Sequence, residues 1–70
     1  MIYREVARKL RQLGCHEDAR RGGGSHRKWR NPATDKRTTL PDWGPKDLKS
    51  GTLHGAVSQL GLTWHDFEEA

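Results

Sequence analysis

Two apolar stripes of helical period, one towards each end of the chain, limit what it can fold into. Near the amino terminus Ile2, Val6, Leu10 and Leu13 recur every three or four residues, joined by Tyr3 and Ala7. Arg4, Arg8, Lys9 and Arg11 take the remaining face. Gly14 follows where a helix end prefers a left-handed residue. The second stripe, Leu53, Ala56, Val57 and Leu60, closes the same way at Gly61. Each predicts an amphipathic helix that must bury one side. In 70 residues the core available to them is thin, so both helices have to share it.

Between the stripes the runs are short. From Cys15 to Arg21 only Cys15 and Ala19 are apolar members of an alternating set, which predicts a weak first strand. "GGGS" is a turn signal, "HRKWR" has the length of a strand, and "NPATDK" gathers turn formers before a further run, "RTTLP". Two hairpins fit that spacing. After the loop "DWGPKDLKSG" and the second helix, the tail "LTWHDFEEA" predicts a short final helix, with Thr63 as N-cap and Asp66 at the third helical position. The expected fold is α+β and occupies residues 1–70 as one domain. Its order is helix-strand-strand-strand-helix with a short C-terminal helix, built as a three-stranded antiparallel sheet with the helices on one face. Double-stranded-RNA-binding domains share that order, and the other sheet face is left open to solvent.

Charge is unevenly placed along this frame. The formal net charge is +4 with a pI near 9.7, which favours a polyanionic partner. Arg20, Arg21, Arg27, Lys28 and Arg30 crowd around His26, whereas Asp66, Glu68 and Glu69 make the end of the chain acidic. If "HRKWR" is a strand, alternation sets Trp29 on one side and His26, Lys28 and Arg30 on the other. Trp29 is too large to leave in water, so it turns to the helices and the basic row faces out. An imidazole takes and returns a proton near neutral pH. RNA phosphodiester cleavage uses that chemistry: a base removes the 2′-hydroxyl proton, the 2′-oxygen attacks phosphorus, and cations stabilise the phosphoryl oxygens. Arg27, Lys28 and Arg30 are close enough in sequence to supply the cations, and glycine amides approach a phosphate where a side chain would block it.

Other chemistries fit worse. The glycine run lacks the Gly-Lys-Ser/Thr ending of a nucleotide-binding loop, and one cysteine with four scattered histidines has no zinc spacing. No metal or other cofactor is expected. Read from the residues alone, a basic module that binds nucleic acid without cutting it stays open beside a nuclease.

The segments "GGSHRKW", "TTLPDW" and "KDLKSGTLHGAVSQLGL", in that order, resemble the HicA family of small toxins from bacterial HicA/HicB toxin-antitoxin pairs. The likeness runs from the first helix through Leu62, and its anchors are Gly24, Ser25, His26, Pro41, Gly51, Thr52 and Leu53. The resemblance implies a double-stranded-RNA-binding-like fold and cleavage of mRNA, with His26 as the catalytic residue. It also implies inhibition by a HicB-like antitoxin that covers the active site. Gly24, Ser25, Arg27, Lys28 and Arg30 are the expected RNA contacts. The chain departs from the family pattern in having Cys15 where many relatives are aromatic, and Asp42 and Trp43 where many have a histidine.

The remaining aromatic residues divide between packing and partners. Trp43 either closes the edge of the core or stacks on an unpaired base, and Trp64 and Phe67 pack the last helix onto the body or onto a partner. An antitoxin is expected to cover His26, Lys28 and Arg30 and to use Trp43 and Trp64 as aromatic anchors. The lone Cys15 argues against a disulfide framework, and the charged first helix is neither a signal peptide nor a membrane span. A reducing cytoplasm is the expected setting.

Overall fold

A computed structural model describes residues 1–18 and 24–70. The elements follow in the expected order: α1 (Tyr3–Gln12), β1 (His16–Glu17), β2 (His26–Asn31), β3 (Lys36–Pro41), α2 (Ser50–Gln59) and α3 (Trp64–Glu69). The strands form one antiparallel sheet in the order β1-β2-β3, with His26 opposite Pro41, Lys28 opposite Thr39, Arg30 opposite Arg37, and His16 on the far side of Arg30. The class is α+β in the arrangement of double-stranded-RNA-binding domains.

The helices share one side of the sheet, and polar groups as well as apolar ones fix them there. Tyr3, Val6, Ala7 and Leu10 of α1 and Leu53, Ala56 and Val57 of α2 are buried with Trp29, Leu40 and Phe67. Trp29 Nε1 donates to the Tyr3 hydroxyl at 3.0 Å, Thr38 Oγ1 to Gln59 Oε1 at 2.6 Å, and Asn31 Nδ2 to the Leu60 carbonyl at 2.8 Å. Leu48, in the loop before α2, joins this core without any periodicity to announce it.

Both long helices end alike. Gly14 (φ +90°) and Gly61 (φ +74°) take the left-handed conformation after α1 and α2. Each helix then closes with the double bond of a Schellman motif: Cys15 N–H to Leu10 O and Gly14 N–H to Arg11 O in α1, Leu62 N–H to Val57 O and Gly61 N–H to Ser58 O in α2. Thr63 caps α3 by accepting the Asp66 N–H at 3.1 Å, as its position in the sequence predicts. At the other end of α3, Lys9 Nζ donates to the main-chain oxygens of Phe67, Glu68 and Ala70 at 2.9–3.3 Å and lies over the Phe67 ring, tying α3 to α1.

The first strand is the main departure. Of the described part of Cys15–Arg21, His16 and Glu17 are strand, and Asp18 N–H continues the pairing with a 2.8 Å bond to the Lys28 carbonyl. Cys15 is buried core rather than strand. The part of the expected strand from residue 19 onward, including Arg20 and Arg21, and the first two glycines of "GGGS" lie outside the described residues. β2 and β3 are each one residue longer than "HRKWR" and "RTTLP", extended through the paired Asn31 and Lys36.

Candidate functional site

Strand alternation decides the site. Along β2, Arg27, Trp29 and Asn31 face the helices, and His26, Lys28 and Arg30 face the open side. Cross-strand pairing surrounds that row with Thr39 and Arg37 from β3 and with His16 and Asp18 from β1 and its extension. Among the described residues the open face therefore carries four cationic or imidazole groups besides His26: Lys28, Arg30, Arg37 and His16. Sequence reading missed Arg37, Thr39 and His16, because only pairing register brings them alongside Lys28 and Arg30. A groove of about 750 Å³ runs past Asp18, Lys28, Arg37 and Thr39 and over the β3 edge to Lys36 and Gln59. Two carboxylates temper the charge. Asp18 shares this groove, and Asp35 accepts from Arg30 at 3.3 Å in a pair whose partners are too exposed to fix either firmly.

His26 stands at the end of the sheet where β2 begins. It follows Gly24, whose φ of +117° suits glycine, and Ser25, whose carbonyl accepts the Asp42 N–H at 2.6 Å. That bond closes the β2–β3 pairing one step beyond Pro41 and fixes where the exposed His26 emerges. The other histidines stand elsewhere. His16 pairs with Arg30, four residues along β2 and so about 13 Å from His26. His54 stacks on Trp64 with ring centroids 3.6 Å apart, and His65 is exposed on α3. No other histidine joins His26 on its row among the described residues.

Arg27 leaves the cationic group that its place in the sequence suggested. It faces the helices, where NH1 donates to Glu17 Oε2 at 3.0 Å and NH2 to Asp42 Oδ2 at 2.9 Å, with the guanidinium 5.5 Å from the Tyr3 ring. Glu17 also accepts from the Tyr3 hydroxyl at 2.5 Å, so Trp29, Tyr3, Glu17, Arg27 and Asp42 form one polar chain beneath the sheet. The hydrogen bond to Glu17 pushes the Arg27 pKa up against desolvation, and burial together with the Glu17 bond pushes the Tyr3 phenol well up. Arg27 Nε is buried with no hydrogen-bond partner among the described residues. The physical reason for the misplacement is parity: Arg27 has the same alternation as Trp29, and nearness in sequence to Lys28 says nothing about sharing its face.

Trp43 is exposed in the loop beyond β3, and Trp64 is half-buried between His54 and Phe67. The two do not form a single patch with His26: Trp64 belongs to the helix side, whereas Trp43 lies near the His26 end of the sheet. Among the described residues no three His, Cys, Asp or Glu side chains gather as a metal-ligand set, and no helix is long and apolar enough to cross a membrane.

Residues 3–62 match the family described as HicA toxin of bacterial toxin-antitoxin, which covers everything from α1 through the end of α2. The chain belongs to the HicA toxin family. Searches of curated proteins and of solved structures find no match. The HicA match takes in the glycine run, the described sheet and both long helices, so His26, Lys28, Arg30 and Arg37 all fall within it. A HicA toxin is one half of a toxin-antitoxin pair, and α3, which begins at Trp64, lies beyond the matched segment.

Proposed function

We propose that this HicA-family toxin is a metal-independent endoribonuclease that cleaves mRNA with His26 as general base. The observation that carries the reading is the open sheet face, where an exposed imidazole at the strand end heads a row continued by Lys28 and Arg30, with Arg37 alongside. RNA lies along that row. His26 removes the 2′-hydroxyl proton, the 2′-oxygen forms a bond to the adjacent phosphorus, and the bond from phosphorus to the 5′-oxygen breaks. The proton returns from imidazolium or water to the departing oxygen. Lys28, two residues along and on the same face, is placed to stabilise charge on the phosphoryl oxygens, and the Gly24 and Ser25 main chain lies on the other side of His26. The products are a 2′,3′-cyclic phosphate, or its hydrolysis product, and a 5′-hydroxyl end. A HicB-like antitoxin restrains this activity by laying acidic groups over His26, Lys28 and Arg30.

The test is incubation of the purified chain with end-labelled RNA in EDTA, beside His26→Ala. Cleavage by the parent, none by the folded variant, and none at a site whose 2′-hydroxyl is replaced by hydrogen are the expected results. Full activity in His26→Ala, or strict dependence on magnesium, overturns the mechanism. Undamaged RNA that stays bound to the parent identifies a binding module instead.

A further inference from the structure

The loop that follows β3 carries a feature that the row on the sheet does not use. Trp43 and Met1 are the exposed large apolar side chains among the described residues, each 37% accessible. Trp43 lines a hollow of about 710 Å³ with Lys46, Asp47 and Lys49. Asp47 is already engaged, since its carboxylate takes the Met1 ammonium at 2.8 Å and its main chain bridges to Ile2. Neither Lys46 nor Lys49 has a side-chain hydrogen bond or ion pair among the described residues. A partly exposed indole therefore shares one hollow with two lysines that have no ion-pair partner among the described residues.

Its position relates it to His26. Pro41 is the cross-strand partner of His26, and Asp42 N–H binds the Ser25 carbonyl, so the chain is held beside His26 until one residue before Trp43. Two residues of chain reach at most about 7 Å, and paired strands stand about 5 Å apart. Trp43 is thus within reach of a nucleotide adjoining one held at His26. Single-stranded RNA recognition combines these two elements, a π face for an unstacked base and cations for the flanking phosphates.

We propose that Trp43, with Lys46 and Lys49 in the same hollow, is a stacking subsite for an unpaired RNA base next to the phosphate held at His26. This rests on the nuclease reading, and the experiment separates the two. The His26→Ala protein is titrated with a short single-stranded RNA of mixed sequence while tryptophan emission is followed. Trp29 is fully buried and Trp64 is covered by His54, which leaves Trp43 as the indole a base can reach. RNA should quench emission in His26→Ala, and the quenching should vanish when Trp43→Ala is added. Trp43→Ala should weaken binding by about 5- to 150-fold, Trp43→Phe should restore most of it, and Lys46→Gln with Lys49→Gln should reduce the salt dependence. An RNA abasic opposite Trp43 should bind both proteins equally. RNA that binds with unchanged affinity to Trp43→Ala and without quenching overturns the subsite and leaves the nuclease reading standing. Loss of antitoxin binding with unchanged RNA binding in Trp43→Ala also overturns it, and makes Trp43 a protein anchor. No RNA binding at low salt overturns both.

Discussion

Trp29 has no exposed surface, and its indole N–H is satisfied by Tyr3, so Trp29→Ala should cost about 3–5 kcal/mol in urea unfolding. His26 and Lys28, its neighbours of opposite parity, should each change stability by no more than about 0.5 kcal/mol when replaced by alanine. Two buried acids add a pH dependence. Burial pushes the Cys15 thiol up, and burial with the Glu17 hydrogen bond does the same to the Tyr3 phenol. The unfolded chain releases these protons first, so stability is full below the ordinary thiol range and is lost as pH rises through it towards the folded values. Urea midpoints should fall from neutral pH to about pH 10, near the ordinary phenol value, and Cys15→Ala should flatten the early part of that fall. An equal fall in Cys15→Ala would show that the thiol takes no part. At this scale the sequence was legible where alternation acts: Trp29 inward, His26, Lys28 and Arg30 outward. It grouped Arg27 with the outward cations by nearness in sequence, whereas Arg27 is held on the helix side by Glu17 and Asp42, which are brought to it by the chain on either side.

Gly14 and Gly61 end their helices with the same hydrogen bonds, yet their surroundings differ. A Cβ at Gly14 would meet nothing within 4 Å, whereas one at Gly61 would stand 2.9 Å from Thr34 Cγ2. Thr34 has little freedom to retreat, since its hydroxyl donates to the Leu60 carbonyl at 3.0 Å. Gly14→Ala should cost about 1–2 kcal/mol for the left-handed backbone alone, and Gly61→Ala distinctly more. Equal losses in denaturant unfolding would show that the β2–β3 turn yields. Lys9→Met should loosen α3 by removing the cation from its last carbonyls, read as faster amide exchange in residues 64–69 with α1 unchanged. Both helix ends and the Thr63 cap could be read in advance because glycine and threonine act there through local backbone chemistry. The clasp between the β2–β3 turn and α2 could not, because Asn31 and Leu60 meet only after the sheet and helix have packed.

On the proposed nuclease reading, RNA along the whole open face should respond to salt through every cation it meets. Lys28→Ala and Arg37→Ala should each reduce the slope of log affinity against log salt by up to about 0.7, measured in the His26→Ala background. Arg27→Ala, on the opposite side of the sheet, should leave the slope unchanged while lowering the melting temperature. A slope lost with Arg27 and kept without Lys28 and Arg37 would place RNA against the helices. The order of elements and the existence of a bare sheet face followed from two amphipathic stripes sharing one thin core. The width of the cationic surface did not, because Arg37 joins it through register rather than composition. Since the buried residues draw their packing from the helix side, the opposite surface has little say in whether the chain folds. Its side chains are thermodynamically cheap to exchange. Simultaneous randomisation at Lys28, Arg37 and Thr39 should yield mostly folded proteins with altered surfaces, so that a toxin of this build can change what it binds, or slip away from one inhibitor towards another, without first solving its folding problem anew.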